Sequence, residues 1–117
     1  MKNKSLKKFD LTKKTSIITG GAGILGSNFS RVLGENGSNI VIIDINKNAI
    51  EETIVKLENT IDKNKILGIK CDITKESDIK LALKKIIKKF GKVDILINNA
   101  ATKTKNLKNF FDDFENY

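Results

Sequence analysis

Between Thr15 and Asp44 an apolar, β-branched run (Thr15-Ser16-Ile17-Ile18-Thr19) breaks into Gly20-Gly21-Ala22-Gly23-Ile24-Leu25-Gly26. A helical pattern follows to Gly37, and a second apolar run, Asn39-Ile40-Val41-Ile42-Ile43, ends on Asp44. A strand that turns through glycines into a helix, and returns as a strand closed by a carboxylate, is the pattern of a dinucleotide-binding βαβ unit. Glycines let the chain turn off the strand and let bare backbone approach a pyrophosphate at the amides opening the helix. Asp44, 18 positions beyond Gly26, stands where an acceptor for ribose hydroxyls is needed. A carboxylate there favours NAD and repels the 2′-phosphate of NADP.

The glycines can be read in two registers, G-x-G-x-x-G at Gly21, Gly23 and Gly26, or T-G-x-x-G-x-x-G at Thr19, Gly20, Gly23 and Gly26. A phosphate loop of the Walker type has the same Gly21–Gly26 spacing, but Ser27 occupies the place of its phosphate-binding lysine.

Further along, Leu25, Phe29, Val32 and Leu33 recur at helical spacing and predict an apolar stripe on a first helix running to about Asn36, closed by Gly37. Ile40–Ile43 lacks alternation, the signature of a parallel strand covered on both faces. Asn46 is placed to cap a second helix whose stripe is Ile50, Ile54, Leu57 and Ile61, with Glu51 and Glu52 near its positive end. After the polar turn Asp62–Lys65 comes a third strand, Ile66–Cys71, and Thr74 is the expected cap of a third helix carrying Ile79, Leu83, Ile86 and Phe90. Lys80, Lys84 and Lys88 fall on its wet face, Gly91 ends it, and Asp94–Ile97 is a fourth strand leading into Asn98-Asn99-Ala100-Ala101. Strands alternating with helices predict an α/β fold: a three-layer, Rossmann-type doubly wound parallel sheet in the order 3-2-1-4, truncated after the fourth strand. Residues 1–14 read as a basic leader, 15–101 as a partial NAD-binding domain and 102–117 as a truncated tail or loop. The switch point then lies between the first and fourth strands, with Gly20–Gly26 facing Asn98–Ala101.

Composition narrows the partners. The 117 residues carry 22 Lys+Arg against 14 Asp+Glu, a formal charge of +8. Arg31 is the only arginine and aromatic residues make up 6%, so the lysines lack the stacking partners of a nucleic-acid surface and read as solvated helix faces. No apolar stretch has the length of a signal peptide or membrane span, and Cys71, the single cysteine, can form no internal disulfide; a cytoplasmic residence is expected, with Cys71 buried at a strand end. No nucleic acid, membrane or metal partner is expected.

The glycine turn, Asp44 ending the second strand, Asp72 just after the third, and Asn98-Asn99-Ala100-Ala101 ending the fourth together resemble the N-terminal half of a short-chain dehydrogenase/reductase, over about Phe9 to Ala101. The resemblance implies that Gly20, Gly23, Ile24, Leu25 and Gly26 wrap the pyrophosphate and that Asp44 holds the adenosine ribose. It further implies that Asp72 and Ile73 border the adenine, that Asn99 and Ala100 line the cofactor cleft, and that Asn98 braces the central strand. The classical pattern T-G-x-x-x-G-x-G is broken by Ile24, and the Gly20, Gly23, Gly26 spacing is similar to the extended branch of epimerases and dehydratases. Asn98–Ala101 is similar to the classical branch, so a classical-type reductase with a variant turn, of the kind linked to sugar pathways, is the favoured expectation.

Hydride transfer in that family implies a tyrosine, a lysine four residues later, a serine and an asparagine, all beyond the segment seen here. Tyr117 is the only tyrosine and the last residue, and there is no histidine, so no catalytic residue is assigned. The expected function is therefore the NAD-binding part of an oxidoreductase, inactive alone, taking a small-molecule substrate only in a full-length form that resembles homo-oligomeric relatives. The alternatives are a stand-alone nucleotide-binding module without catalysis, or a fragment of an extended-type sugar-nucleotide enzyme. The expected open edge of the fourth strand, and the tail residues Leu107, Phe110, Phe111 and Phe114 that could cover part of it, complete the reading.

Overall fold

β1 (Thr15–Thr19) is buried along its whole length, and this is possible for its polar residues because each finds a partner inside the sheet end. In the computed structural model, which describes residues 9–100, it is followed by α1 (Ile24–Glu35), β2 (Asn39–Asp44), α2 (Lys47–Leu57), a short 3₁₀ turn (Lys63–Lys65), β3 (Ile66–Lys70), α3 (Glu76–Phe90) and β4 (Ile95–Asn98). The strands form one parallel sheet in the order β3-β2-β1-β4, as the βα alternation predicts. Thr19 lies opposite both Ile43 and Asn98, and Asp44 lies opposite Lys70, so the carboxyl ends of all four strands open on one side.

The even and odd residues of the strands serve different layers, because side chains alternate across the pleat. Ile18, Ile40, Ile42 and Ile66 pack against Ile50, Leu57 and Ile61, with Leu33 and Ile54 at the margin, beneath α1 and α2. On the opposite face Ile17, Val41, Ile43 and Ile69 meet Ala82 and Ile86 of α3. Two helices thus cover one face and one the other, and Leu96 on β4 is left 61% exposed. Cys71 is buried just past β3.

Helix α1 departs from its expected stripe. Its buried residues are Gly26, Ser30 and Gly34, while Leu25, Phe29 and Val32 face outward. A Cβ on Gly26 would overlap the Gly20 carbonyl oxygen, and one on Gly34 would overlap Ile61 Cδ1. The helix therefore packs so close to the glycine turn and to Ile61 that only small residues fit on that side; of its expected stripe Leu33 alone reaches the core, and Leu25, Phe29 and Val32 are turned away. Helix α2 is capped as expected, Ala49 N–H donating to Asn46 Oδ1 at 3.0 Å. Its first turn holds no acidic residue, so Glu51 and Glu52 lie one turn too late to meet the helix dipole, and Ile61 joins the core from beyond the helix end. Lys75, not Thr74, occupies the cap position of α3, and the Thr74 hydroxyl donates to Asp72 instead. Gly37 (φ +102°) and Gly91 (φ +81°) take the left-handed conformation at the ends of α1 and α3. The tail, including Leu107, Phe110, Phe111, Phe114 and Tyr117, and residues 1–8 lie outside the described residues.

Candidate functional site

The turn after β1 forms because Gly20 adopts φ +65°, which sends the chain back over the strand end. A side chain at Gly20 would press on the backbone of Ala100, and one at Gly21 on Ile42 and the Ile18 carbonyl. Within the turn, Gly21 N–H donates to Ile43 O (3.2 Å), Ala22 N–H to Asp44 Oδ2 (3.2 Å) and Gly23 N–H to Gly20 O (3.1 Å). These three amides are engaged by the chain itself. The next amides belong to the first turn of α1, where no i−4 carbonyl is available. Gly23 stands at the cap position with no side chain to close it, and no acidic residue follows in that turn. The positive end of α1 is consequently open to an anion at Ile24, Leu25 and Gly26.

Gly23 is distinct from its neighbours. Its φ of −78° suits any residue, and an added Cβ would meet nothing nearer than Gly20 O at 3.4 Å, an ordinary contact. Neither conformation nor packing of the chain itself calls for glycine there. The bare backbone leaves a space into which a ligand can approach closely.

Facing the turn, β4 ends in residues tied to β1. The Thr19 hydroxyl accepts from Asn99 N and Ala100 N, both at 3.0 Å, and donates toward Asn98 Oδ1 (3.2 Å) or Ile97 O (3.4 Å). Asn99 Nδ2 donates to Gly20 O at 3.3 Å. Thr19 thus ties the carboxyl end of β1 to the end of β4, where it also pairs with Asn98 across the sheet. Sequence reasoning gave Thr19 no role beyond opening the glycine pattern, although a hydroxyl directly before the first glycine was the signal available.

The third wall comes from the ends of β2 and β3. Asp44 Oδ1 accepts from Asn46 N at 3.1 Å, and Asp72 Oδ1 accepts from both the amide (3.0 Å) and the hydroxyl (2.6 Å) of Thr74. Those bonds, the hydroxyl's first and then the amide's, hold the Asp72 carboxyl below the usual carboxylate range. Asp78, which with Glu76 is an acidic residue of the first turn of α3 as the sequence leads one to expect, reaches back and accepts the Asp72 amide at 3.0 Å. Burial, then the charges of Asp78 and Asp72, push the Cys71 thiol up.

Gly20, Gly23, Asp44, Asp72, Ile73, Asn99 and Ala100 all line one cleft of about 500 Å³, together with Ile43, Ile45, Cys71 and Thr74. Of the expected site residues, Ile24, Leu25 and Gly26 are not in this lining: the side chains of Ile24 and Leu25 point to solvent, and Gly26 is buried under Gly20. What these three can offer a ligand is their amides. A more open hollow of about 750 Å³ lies beside α2 and the first residue of β3, lined by Ile54, Glu58, Asp62, Lys63, Asn64, Ile66 and Lys89. It is at the opposite end of β3 from Asp72, away from the glycine turn. The cleft at the carboxyl ends of the strands is where open α/β sheets bind ligands. With an uncapped helix start, a bare backbone position and two partly engaged carboxylates, its groups fit a dinucleotide.

A profile of the short chain dehydrogenase family matches residues 14–116. The chain is 44% identical over 91 residues to the short chain dehydrogenase/reductase dpfgG of Gibberella zeae, covering 78% of this chain and 33% of that protein. Among solved structures, it resembles a short chain dehydrogenase from Bacillus anthracis (34% identity, TM-score 0.74, covering 79% of this chain and 36% of that one). It also resembles an NAD⁺-bound xylitol dehydrogenase (27% identity, TM-score 0.73, covering 79% and 35%). The chain thus spans about a third of the length of these proteins. Among the described residues, no helix is long and apolar enough to cross a membrane.

Proposed function

This chain belongs to the short-chain dehydrogenase family, and we propose that it is the NAD-binding part of an oxidoreductase acting between an alcohol and a carbonyl. In this reading the amides of Ile24, Leu25 and Gly26 take the diphosphate and Asp44 accepts from the ribose hydroxyls. Asp72 and Ile73 border the adenine, and Asn99 and Ala100 line the cleft toward the nicotinamide. NAD, when bound, supplies the hydride acceptor or donor. Asp44 favours NAD over NADP because a 2′-phosphate would bring like charges together at the end of β2. The likeness to an NAD⁺-bound xylitol dehydrogenase supports both the cofactor and a sugar-related substrate. The free, buried Cys71 fits a reducing compartment such as the cytoplasm.

The family resemblance calls for a tyrosine followed four residues later by lysine, and this sequence contains no such pair. In our reading the 117-residue chain binds the dinucleotide without turning it over.

The observation that carries the proposal is the open space at Gly23. Calorimetric titration tests it: Gly23→Ala should weaken NAD binding by about tenfold, or 1.4 kcal/mol, while lowering stability by only about 0.5 kcal/mol, the cost of a poorer helix cap. NAD binding unaffected by the added methyl, or absent from the unaltered chain, would refute the reading. Steady oxidation of NADH by the chain would refute its inactivity.

A further inference from the structure

Three of the four residues from Gly20 to Gly23 are glycines, so this turn has more conformational freedom to lose than any other part of the site. Among the described residues, only one side chain bonds an amide within Gly20–Gly26, and it is Asp44, through Ala22 N–H at 3.2 Å. The other oxygen of the same carboxylate takes Asn46 N–H at 3.1 Å. The backbone of Asp44 is itself fixed, since it pairs with Lys70 across the sheet and its carbonyl accepts from Cys71 N at 2.9 Å. The end of β2 therefore holds the middle of a glycine-rich turn by a charge-assisted hydrogen bond.

We propose that Asp44 is a positioning residue for the diphosphate as well as a ligand for the ribose: by bonding Ala22 it sets the glycine turn in the conformation that presents the α1 amides. The inference rests on the cofactor reading above and deepens it. A carboxylate has about four acceptor sites. Two are engaged here, by Ala22 and Asn46, so the ribose hydroxyls can be accepted without releasing the turn. The two subsites are then linked through one side chain, and loss of that side chain damages both.

The test compares ADP with 2′,3′-dideoxyadenosine diphosphate, which keeps the diphosphate and lacks the hydroxyls, on the 117-residue chain and on Asp44→Ala. Were Asp44 only a ribose ligand, the substitution would leave the dideoxy compound's affinity unchanged, and that result overturns the proposal. The expected result is about a fivefold loss for the dideoxy compound and a larger loss for ADP, the two effects not being confined to the hydroxyls. Asp44→Asn, which keeps a carbonyl oxygen for Ala22, should restore most of the dideoxy affinity. Amide hydrogen exchange on the ligand-free chain gives an independent reading: Asp44→Ala should speed exchange at Ala22 by about tenfold, with the rates in β1 and β2 unchanged. Unchanged Ala22 exchange overturns the proposal whatever the nucleotides do. If the unaltered chain binds neither nucleotide, the cofactor reading fails and the exchange rate alone decides the role of Asp44.

Discussion

The two ends of this sheet treat their polar groups differently. At the amino ends of the strands, the Ser16 and Ser38 hydroxyls bond each other at 2.6 Å and Ser38 Oγ also donates toward Asn39 O or Lys14 O. Asn39 Nδ2 reaches Thr15 Oγ1, and Asp94 both accepts from Thr15 N (2.9 Å) and donates its own amide to Thr15 O. At the amino ends of β1 and β2 these polar groups bond to one another. At the carboxyl ends, Thr19 is fully engaged, but the start of α1 is uncapped, Gly23 keeps a space that its neighbours do not need, and Asp44 and Asp72 retain acceptor capacity. The site proposed for the dinucleotide is thus the end of the sheet at which hydrogen bonding has been left incomplete. Among the described residues no buried side-chain nitrogen or oxygen lacks a partner, so the incompleteness is confined to groups that water or a ligand can reach.

Substitutions can break this contrast at either end. The largest effect is expected for Gly26→Ala, whose methyl would overlap a backbone carbonyl that has no rotamer to escape into. A loss on the order of 3 kcal/mol in urea unfolding is expected, and binding would vanish with the fold. Next comes Thr19→Val, which strips the amides of Asn99 and Ala100 of their acceptor. It should cost about 2 kcal/mol and detach the β4 end of the cleft; measured by the same unfolding and by NAD titration, both quantities should fall. A loss of stability with NAD affinity intact would show that the Asn99 wall does not serve the ligand.

The smallest effect sharpens the comparison through pH. Hydrogen bonds hold two carboxyls below their ordinary range: Asp94 through the Thr15 amide, with Lys92 and Lys14 adding, and Asp72 through Thr74. A lowered folded-state pKa means stabilisation that is complete above the unfolded value of about 3.9 and is lost as pH falls through the folded value. Asp94→Asn and Asp72→Asn should each flatten the acid limb of a stability profile below about pH 4. Only Asp72→Asn should also change nucleotide affinity, because only it lies at the open end.

Much of this was legible in the chain. The strand order, the Asn46 cap, the covered apolar run of β2 and the convergence of Gly20, Gly23, Asp44, Asp72, Asn99 and Ala100 follow from patterns a few residues long. Helix α1 was misread at its face. Of the apolar stripe Leu25, Phe29, Val32 and Leu33, only Leu33 packs against the core, and the buried residues are Gly26, Ser30 and Gly34. Apolar periodicity finds the buried side of a helix when burial is limited by transfer from water, as in α2; in α3 it finds Ile86 and the partly buried Phe90, whereas Ile79 and Leu83 stay exposed and Ala82 is buried in their place. It fails when the limit is how closely two backbones can approach, as it is directly after a tight turn. Thr74 failed as a cap for a related reason, since Asp72 two residues earlier offered its hydroxyl a charged acceptor.

By itself, then, the sequence determined the order and type of the elements and which end of the sheet carries glycine, carboxylate and amide together, because those depend on local conformation and on alternation along each strand. Only the tertiary structure decided which side of α1 is buried, which amides of the turn are already engaged, and that Asp44 grips Ala22 from the neighbouring strand. These depend on distances between segments some twenty residues apart, and nothing in the spacing of residues along the chain encodes such a distance until the sheet has brought the strand ends together.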